Sequence, residues 1–162
     1  MDQYRETPTP DQESVWDYPR PPALVACERH VSVLIDGISL AATSASLRLL
    51  ETSSPPTFYI PPGDVNLQLL AASKHRSFCE WKGRASYWAL AAEPNAPVVG
   101  WSYAEPLPPY QALQHYLAFY PGRVQCYVDQ QRVTPQAGNF YGGWITDDIC
   151  GPFKGDPGTM GW

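Results

Sequence analysis

The chain has 162 residues, a formal net charge of -5 and a pI near 5.0. This length suits one domain that buries roughly 70% of its unfolded surface. The acidic balance argues against the broad basic face that binding to a phosphate backbone requires, so we expect no nucleic-acid partner. The 12 glycines, 18 prolines and 13% aromatic residues favour strands joined by tight turns, and the chain is predicted to be mainly β.

Targeting signals and cysteine motifs are both missing from the sequence. Residues 1–8 lack the basic start and apolar run of a signal peptide, and no later segment reaches the roughly 18 apolar residues of a membrane span. We therefore expect a soluble cytoplasmic protein with no membrane partner. Cys27, Cys79, Cys126 and Cys150 form no Cys-x-x-Cys pair, so we expect free and mostly buried thiols.

Residues 1–25 are predicted to form an N-terminal arm, because prolines and acidic residues make the segment too polar and too interrupted for a core element. Trp16 and Tyr18 in its middle are costly to leave in water. We expect the arm to dock along the domain or a neighbouring subunit, with a disordered arm as the alternative.

The strands come next in the chain. Asp36-Gly37 separates residues 31–35 from residues 38–42 and predicts a hairpin with a two-residue type I′ turn. The other predicted strands are residues 47–52, 57–60, 65–70, 85–90, 98–103 and 124–128, with proline and glycine turns between them. About eight short strands predict a compact antiparallel β-barrel or sandwich with extended terminal arms.

One helix and a C-terminal arm complete the predicted elements. Residues 109–119 carry apolar side chains at steps of three and four, with proline at the start and Pro121-Gly122 after the end, which predicts a helix packed on the β body. Residues 134–162 are rich in glycine and aromatic residues. We expect this C-terminal arm to be held against the domain or to cross to another subunit.

A series of motifs in fixed order identifies a family resemblance. The motifs are Leu49-Leu50-Glu51-Thr52, Pro55-Pro56-Thr57-Phe58-Tyr59-Ile60-Pro61, Asp64-Val65, Ser73-Lys74-His75-Arg76-Ser77, Cys79-Glu80-Trp81-Lys82-Gly83, Ala85-Ser86-Tyr87-Trp88, Trp101-Ser102-Tyr103 and Phe119-Tyr120-Pro121. Together they resemble the domain of unknown function 427 over residues 29–133, within a predicted domain of residues 26–133. The resemblance implies a compact β-rich domain of the β-tent type, found in bacterial and some fungal proteins. A nucleotidyltransferase label attached to the family is a name without a demonstrated reaction.

Residues 74–88 concentrate basic and reactive side chains in an acidic protein. Lys74, Arg76, Lys82 and Arg84 indicate an anion site for a phosphate or carboxylate, and a solvated turn with basic residues at its rim is the alternative. His75 and Cys79 suggest a thiol activated by an imidazole, but a spacing of four aligns them only on a helix. A structural cysteine and a hydrogen-bonded histidine are favoured.

Glu51 ends an apolar run and is the carboxylate of interest. We favour an ion pair with Arg48, Lys82 or Arg84 over a role as general base. A metal site built from Glu51, His75 and Cys79 has no paired motif to support it, so no metal and no cofactor are predicted. The catalytic candidates are Glu51, His75 and Cys79, and no established catalytic motif is present.

The leading hypothesis from the sequence is a β-domain that binds a small polar or anionic ligand in a pocket beside residues 74–88. The predicted ligand-binding residues are Glu51, Tyr59, His75, Cys79, Lys82 and Tyr87. The aromatic residues Tyr59, Trp81, Tyr87, Trp88, Trp101 and Tyr103 either line this pocket or fill the core. Two alternatives stay open: an enzyme of transferase or hydrolase type acting on such a ligand, and an assembly protein that forms a homo-oligomer through its arms.

Overall fold

The computed structural model describes residues 6–79, 83–137 and 142–156, and gives residues 75–79 by their backbone alone. The strands in these ranges are β1 Glu13–Ser14, β2 Ala23–Cys27, β3 Val31–Ile35, β4 Ile38–Thr43, β5 Ser46–Leu50, β6 Thr57–Tyr59, β7 Leu70–Cys79, β8 Gly83–Leu90, β9 Gly100–Ser102, β10 Leu117–Phe119, β11 Gln125–Val128, β12 Gln131–Arg132, β13 Thr134–Pro135, β14 Trp144–Ile145 and β15 Ile149–Cys150. The helical segments there are 3₁₀ helices at Val15–Asp17, Pro62–Asp64, Leu67–Leu69 and Pro108–Leu113.

The largest layer is a run of strands in the order β2-β5-β6-β10-β9-β8-β7, which we call the composite sheet. Its two parts, β2-β5-β6 and β10-β9-β8-β7, are antiparallel sheets. They join where the Ile60 backbone N–H donates to the Leu117 carbonyl at 2.7 Å and the Leu117 N–H donates back at 2.9 Å. This join places β5 and β6 in one layer with β8 and β9, although the two groups of strands are distant in sequence.

The second sheet has the order β12-β11-β3-β4 and contains the predicted hairpin. Asp36 and Gly37 connect β3 to β4 with φ values of 49° and 80°, and a type I′ turn requires positive φ at both positions. Glycine adopts this conformation without steric cost, and aspartate tolerates it better than most residues. The predicted hairpin is confirmed.

The main core lies between the two sheets. Phe58, Ile60 and Phe119 from the composite sheet pack with Val33 and Leu40 from the second sheet, and all five side chains are buried. The opposite face of the composite sheet carries a smaller cluster that includes Tyr59, Trp101 and Leu113. The fold is therefore mainly β and sandwich-like, as the sequence predicts, and the described strands do not close into a barrel.

Both arms pack against the domain and against each other. The strand β1 pairs in parallel with β15, and the Trp16 indole N–H donates to the Pro152 carbonyl at 3.0 Å. Val15, Leu50 and Ile149 form a buried cluster at this contact. In the described part of the chain, residues 6–22 thus pack along the domain, whereas residues 23–25, which the sequence analysis assigns to the arm, belong to strand β2.

Arg29 ties the C-terminal arm to the turn that follows β11. Its Nε lies 2.8 Å from an Asp129 carboxylate oxygen and its Nη1 lies 2.5 Å from an Asp148 oxygen. Burial works against ionisation of Asp148, but the Thr146 hydroxyl and the Arg29 guanidinium outweigh it and lower its pKa. Asp148 therefore stays charged, and the bridge spans two segments that the sequence analysis treats as separate regions.

The helix predicted over residues 109–119 is confirmed only in its first half. Pro108–Leu113 is a 3₁₀ helix, and residues 117–119 form strand β10 instead. His115 adopts a positive φ of 64°, which breaks a helical path for any residue with a side chain. Because Leu117 and Phe119 have backbone partners on neighbouring strands, tertiary pairing replaces the helix that their spacing predicts.

The strand predicted over residues 65–70 is wrong. Residues 62–64 and 67–69 form single 3₁₀ turns, and β7 begins only at Leu70. Local hydrogen bonds hold these turns, with the Val65 N–H donating to the Pro62 carbonyl and the Leu69 N–H to the Asn66 carbonyl. Strands β2 and β10 and the two-residue strands β1, β12, β13, β14 and β15 were not predicted from the sequence, and β7 overlaps the predicted strand only at Leu70.

The described cysteines agree with the expectation of buried thiols. Cys27, Cys126 and Cys150 are buried thiols outside any disulfide, which confirms the prediction for these three, while the Cys79 side chain lies outside the described residues. Burial raises the pKa of the Cys126 thiol, which keeps it protonated. None of the helices in the described ranges has the length and apolar character needed to span a membrane.

Candidate functional site

A cavity of about 340 Å³ opens on the face of the composite sheet that lies away from the main core. Most of its lining residues come from β5, β6, β8 and β9, the loops next to them, and the C-terminal arm. The described residues of the lining are Leu49, Glu51, Ser54, Pro55, Thr57, Tyr59, Tyr87, Trp101, Tyr103, Tyr120, Gln136, Gly142, Gly143 and Lys154.

Strand alternation explains why aromatic residues line this cavity. Successive side chains of a strand point to opposite faces, so neighbours in sequence separate into two environments. Tyr59 and Tyr87 line the cavity, while Phe58 and Trp88, one residue away in each strand, pack with the main core. The Trp88 indole N–H donates to the Ser102 hydroxyl at 2.9 Å, and of the aromatic residues proposed for the pocket Trp88 thus belongs to the core.

Trp101 and its neighbours form a rigid floor. The Trp101 indole N–H donates to the Tyr59 hydroxyl at 3.3 Å, and the two rings meet edge to face with centroids 6.2 Å apart. The Tyr120 ring also packs against the Trp101 ring, at a centroid distance of 4.7 Å. Tyr59 is fully buried and Trp101 is 9% exposed, so the floor is fixed by packing.

Burial keeps the phenol of Tyr120 protonated. It raises the pKa of Tyr120 to about 12, and the nearby hydroxyls of Tyr87 and Tyr59 act in the same direction, while Arg123 opposes them. The Arg123 guanidinium lies 4.4 Å from the centre of the Tyr120 ring. At neutral pH the Tyr120 hydroxyl is therefore a neutral group that can donate a hydrogen bond.

The C-terminal arm supplies one wall of the cavity. The side chain of Gln136 is 6% exposed, accepts a hydrogen bond from the Gly143 N–H at 3.2 Å and donates to the Lys154 carbonyl at 2.5 Å. The Lys154 N–H donates in turn to the Ser53 carbonyl at 2.7 Å. Gln136 thereby holds two separate parts of the arm beside the loop that follows β5.

The structure does not support the ion pair expected between Glu51 and Arg48. The Arg48 guanidinium instead lies 2.7 Å from the Glu13 carboxylate and 3.3 Å from the Tyr18 hydroxyl, because the N-terminal arm folds back onto β5. Within the described ranges, the Glu51 carboxylate forms no hydrogen bond or ion pair with another residue. Glu51 is half-buried and lines the cavity.

The structure brings three of the six predicted ligand-binding residues to one cavity. Glu51, Tyr59 and Tyr87 all line it. His75 and Cys79 belong to β7, but their side chains lie outside the described residues, as does the whole of Lys82. Whether these three reach the cavity stays a prediction.

Of the four basic residues proposed as an anion site, the structure describes the side chains of two, Lys74 and Arg84. Lys74 and Arg84 are exposed and do not line the cavity, and on β8 the neighbours of Arg84 on the cavity face are Gly83 and Ala85. The side chain of Arg76 lies outside the described residues. Among the described side chains no group of three or more His, Cys, Asp or Glu residues is arranged to hold a metal ion.

Several lining residues were missed by the sequence analysis. Tyr120 directly follows the segment predicted as a helix, and Gln136, Gly142, Gly143 and Lys154 lie in an arm whose contacts no local pattern reveals. The one available signal was the combination of glycine and aromatic residues in the arm, since glycine lets a backbone approach a ring closely.

The fold and the cavity define a mainly β, sandwich-like domain with an aromatic-lined cavity, extended by two arms that pack on it. Residues 23–130 match the family model described as a domain of unknown function (DUF427). The chain belongs to this family, and the resemblance found from its motifs is confirmed. The match runs from β2 to the turn after β11 and leaves out residues 1–22 and the whole C-terminal arm. No curated protein matches the chain.

Proposed function

We propose that the cavity binds a small polar ligand with a flat ring, and that the ligand donates hydrogen bonds to Glu51. The position of Glu51 carries this proposal. A half-buried carboxylate on a cavity wall, without a protein partner in the described ranges, gains most from a ligand N–H or O–H group. Aromatic rings beside it favour a ligand with a flat apolar face.

The size of the cavity favours a small molecule. A volume of about 340 Å³ lies near the lower end of the roughly 300–1,000 Å³ that is typical of small-molecule sites. The tyrosine hydroxyls of the lining and the amide of Gln136 can orient a ligand through hydrogen bonds.

The charge of the lining favours a polar ligand over an anionic one. Among the described residues of the lining, the charged ones are Glu51 and Lys154, whose charges are opposite. The anionic ligand expected from the sequence depends on Lys82, which lies outside the described residues. A ligand carboxylate placed beside Glu51 would meet a like charge at reduced dielectric, which is unfavourable.

Three probes with one ring and different charges test this proposal. We would measure binding of benzamide, benzylamine and benzoate by ligand-observed NMR and by quenching of tryptophan fluorescence. We expect benzamide and benzylamine to bind about tenfold more tightly than benzoate, a difference of about 1.4 kcal/mol. In Glu51→Gln, benzylamine should lose about tenfold in affinity and benzoate should gain.

Glu28→Gln is the matched control, because Glu28 is an exposed carboxylate in the turn between β2 and β3. This variant should leave all three affinities unchanged. Tightest binding of benzoate to the unmodified protein would favour the anionic alternative. If none of the three probes binds, the ligand-binding proposal fails.

The catalytic and assembly alternatives stay predictions. Of the catalytic candidates Glu51, His75 and Cys79, only Glu51 has a described side chain, and it lines the cavity. Assembly through the arms would need surfaces beyond those that already pack within one chain, such as the cluster around Val15 and Ile149.

A further inference from the structure

We infer that the C-terminal arm determines which ligand the cavity accepts, with Gly142 setting the available space and Lys154 the charge. This inference rests on the proposed function. The arm residues lie beyond residues 23–130, the stretch that matches the family model. The selectivity of the cavity is thus set by a segment outside the matched domain.

Gly142 places the arm directly on the floor of the cavity. A Cβ atom at this position would lie 2.2 Å from Cη2 and 2.7 Å from Cζ3 of Trp101. Only a glycine allows the backbone to approach the indole this closely. Any side chain here would displace either the ring or the arm, so Gly142 fixes the distance between two surfaces that line the cavity.

Gly143 and Gln136 hold this part of the arm in place. A Cβ atom on Gly143 would lie 2.5 Å from Oε1 of Gln136 and 3.0 Å from Cβ of Pro55, so this backbone is also tightly enclosed. The amide of Gln136 bonds both the Gly143 N–H and the Lys154 carbonyl. The wall is therefore braced from inside by a buried side chain.

Trp144 anchors the wall in the main core. Its side chain is fully buried, and its ring stacks on Phe58 at a centroid distance of 4.9 Å. Its indole N–H donates to the Phe119 carbonyl at 3.0 Å, and its backbone N–H donates to the Pro56 carbonyl at 2.8 Å. These contacts hold the neighbouring Gly142 and Gly143 in position.

Lys154 contributes the positive charge of the lining. Its backbone is held at both ends, because its N–H donates to Ser53 and its carbonyl accepts from Gln136. Substitution of the side chain leaves both bonds possible. Lys154→Gln therefore changes the charge of the wall and leaves these two backbone hydrogen bonds possible.

The test compares ratios of dissociation constants, which a uniform loss of stability does not change. For Gly142→Ala we would measure the ratio between 4-methylbenzamide and benzamide, and we expect this ratio to change at least tenfold, because displacement of the ring or the arm alters the space above the floor. Gly63→Ala is the control, because a Cβ there meets nothing within 4 Å, and its ratio should equal that of the unmodified protein.

For Lys154→Gln we would measure the ratio between benzoate and benzamide, and we expect benzoate to lose about five- to tenfold relative to benzamide. This variant keeps the inference testable if Gly142→Ala does not fold, which circular dichroism would reveal. Unchanged ratios in folded variants that still bind benzamide would overturn the role of the arm alone. Absence of binding to the unmodified protein would instead overturn the proposed function and this inference with it.

Discussion

At the scale of single residues, Arg48 and Glu51 show that the partner of a side chain can differ from the one its neighbours in sequence suggest. Arg48 lies three residues before Glu51 but pairs with Glu13, which the N-terminal arm brings to it. Glu51 is left on the cavity wall. Tyr120 shares the cavity and is held between the Trp101 indole and the Arg123 guanidinium.

Tyr120 gives a prediction for alkaline pH. Burial raises its pKa to about 12, whereas an unfolded tyrosine ionises near 10. Below pH 10 the phenol is neutral in both states and contributes no pH dependence. Between pH 10 and about 12 the unfolded state ionises first, so stability falls as pH rises.

We expect the loss of folding stability at alkaline pH to be smaller in Tyr120→Phe, by about 1 kcal/mol. This figure allows for solvent screening of the partly exposed hydroxyl. Urea unfolding of both proteins at pH 8 and pH 11.5 measures the difference in their free energies of unfolding. The difference at pH 8 serves as the reference. A stability difference that is the same at both pH values would contradict the prediction.

At the scale of elements, the pairing of β9 with β10 leaves no space for a side chain at Gly100. A Cβ atom on Gly100 would lie 2.5 Å from the Ala118 carbonyl oxygen, which belongs to the backbone of the partner strand. A backbone atom cannot rotate away as a flexible side chain can. Glycine at this position is therefore required by strand pairing.

Gly100→Ala should destabilise the protein by about 1–3 kcal/mol, because the added methyl group forces the two strands apart. Gly122→Ala is the matched control, since its Cβ would meet Pro135 at an ordinary 3.7 Å. Equilibrium denaturation followed by tryptophan fluorescence compares the two. Equal midpoints for both variants would show that the strands accommodate the methyl group.

At the scale of the whole molecule, the C-terminal arm belongs to the core of the domain. Trp144 is fully buried against Phe58, a residue of the matched stretch 23–130. The arm also connects to the N-terminal arm through β1 and β15, and to the turn after β11 through Arg29. The family-matched stretch therefore does not contain all of its own core.

Deletion of residues 134–162 should cost at least the roughly 3–5 kcal/mol associated with loss of a large buried aromatic side chain. This is a large share of the roughly 5–15 kcal/mol that stabilises a typical domain. We expect the shortened chain to bind a hydrophobic dye and to lose its sharp thermal transition. Trp144→Phe in the full-length chain should retain cooperative unfolding. A shortened chain with an unchanged transition would contradict this role of the arm.

Local patterns in the sequence determined the β class, the hairpin at Asp36-Gly37 and the family. These features depend on alternation, on turn chemistry and on motifs that are contiguous in the chain, so they can be predicted without contacts. The same patterns indicated Glu51, Tyr59 and Tyr87, which share a cavity. That they would share one pocket was a prediction, and the join between β6 and β10 explains how these distant residues meet.

Only the tertiary structure decided the partner of Arg48, the strand at residues 117–119 and the wall formed by Gln136, Gly142 and Lys154. Each depends on segments far apart in sequence: the two arms, and strands joined by backbone hydrogen bonds across the composite sheet. Such contacts leave no periodic signal, because their energy comes from surfaces that meet only after the chain has folded.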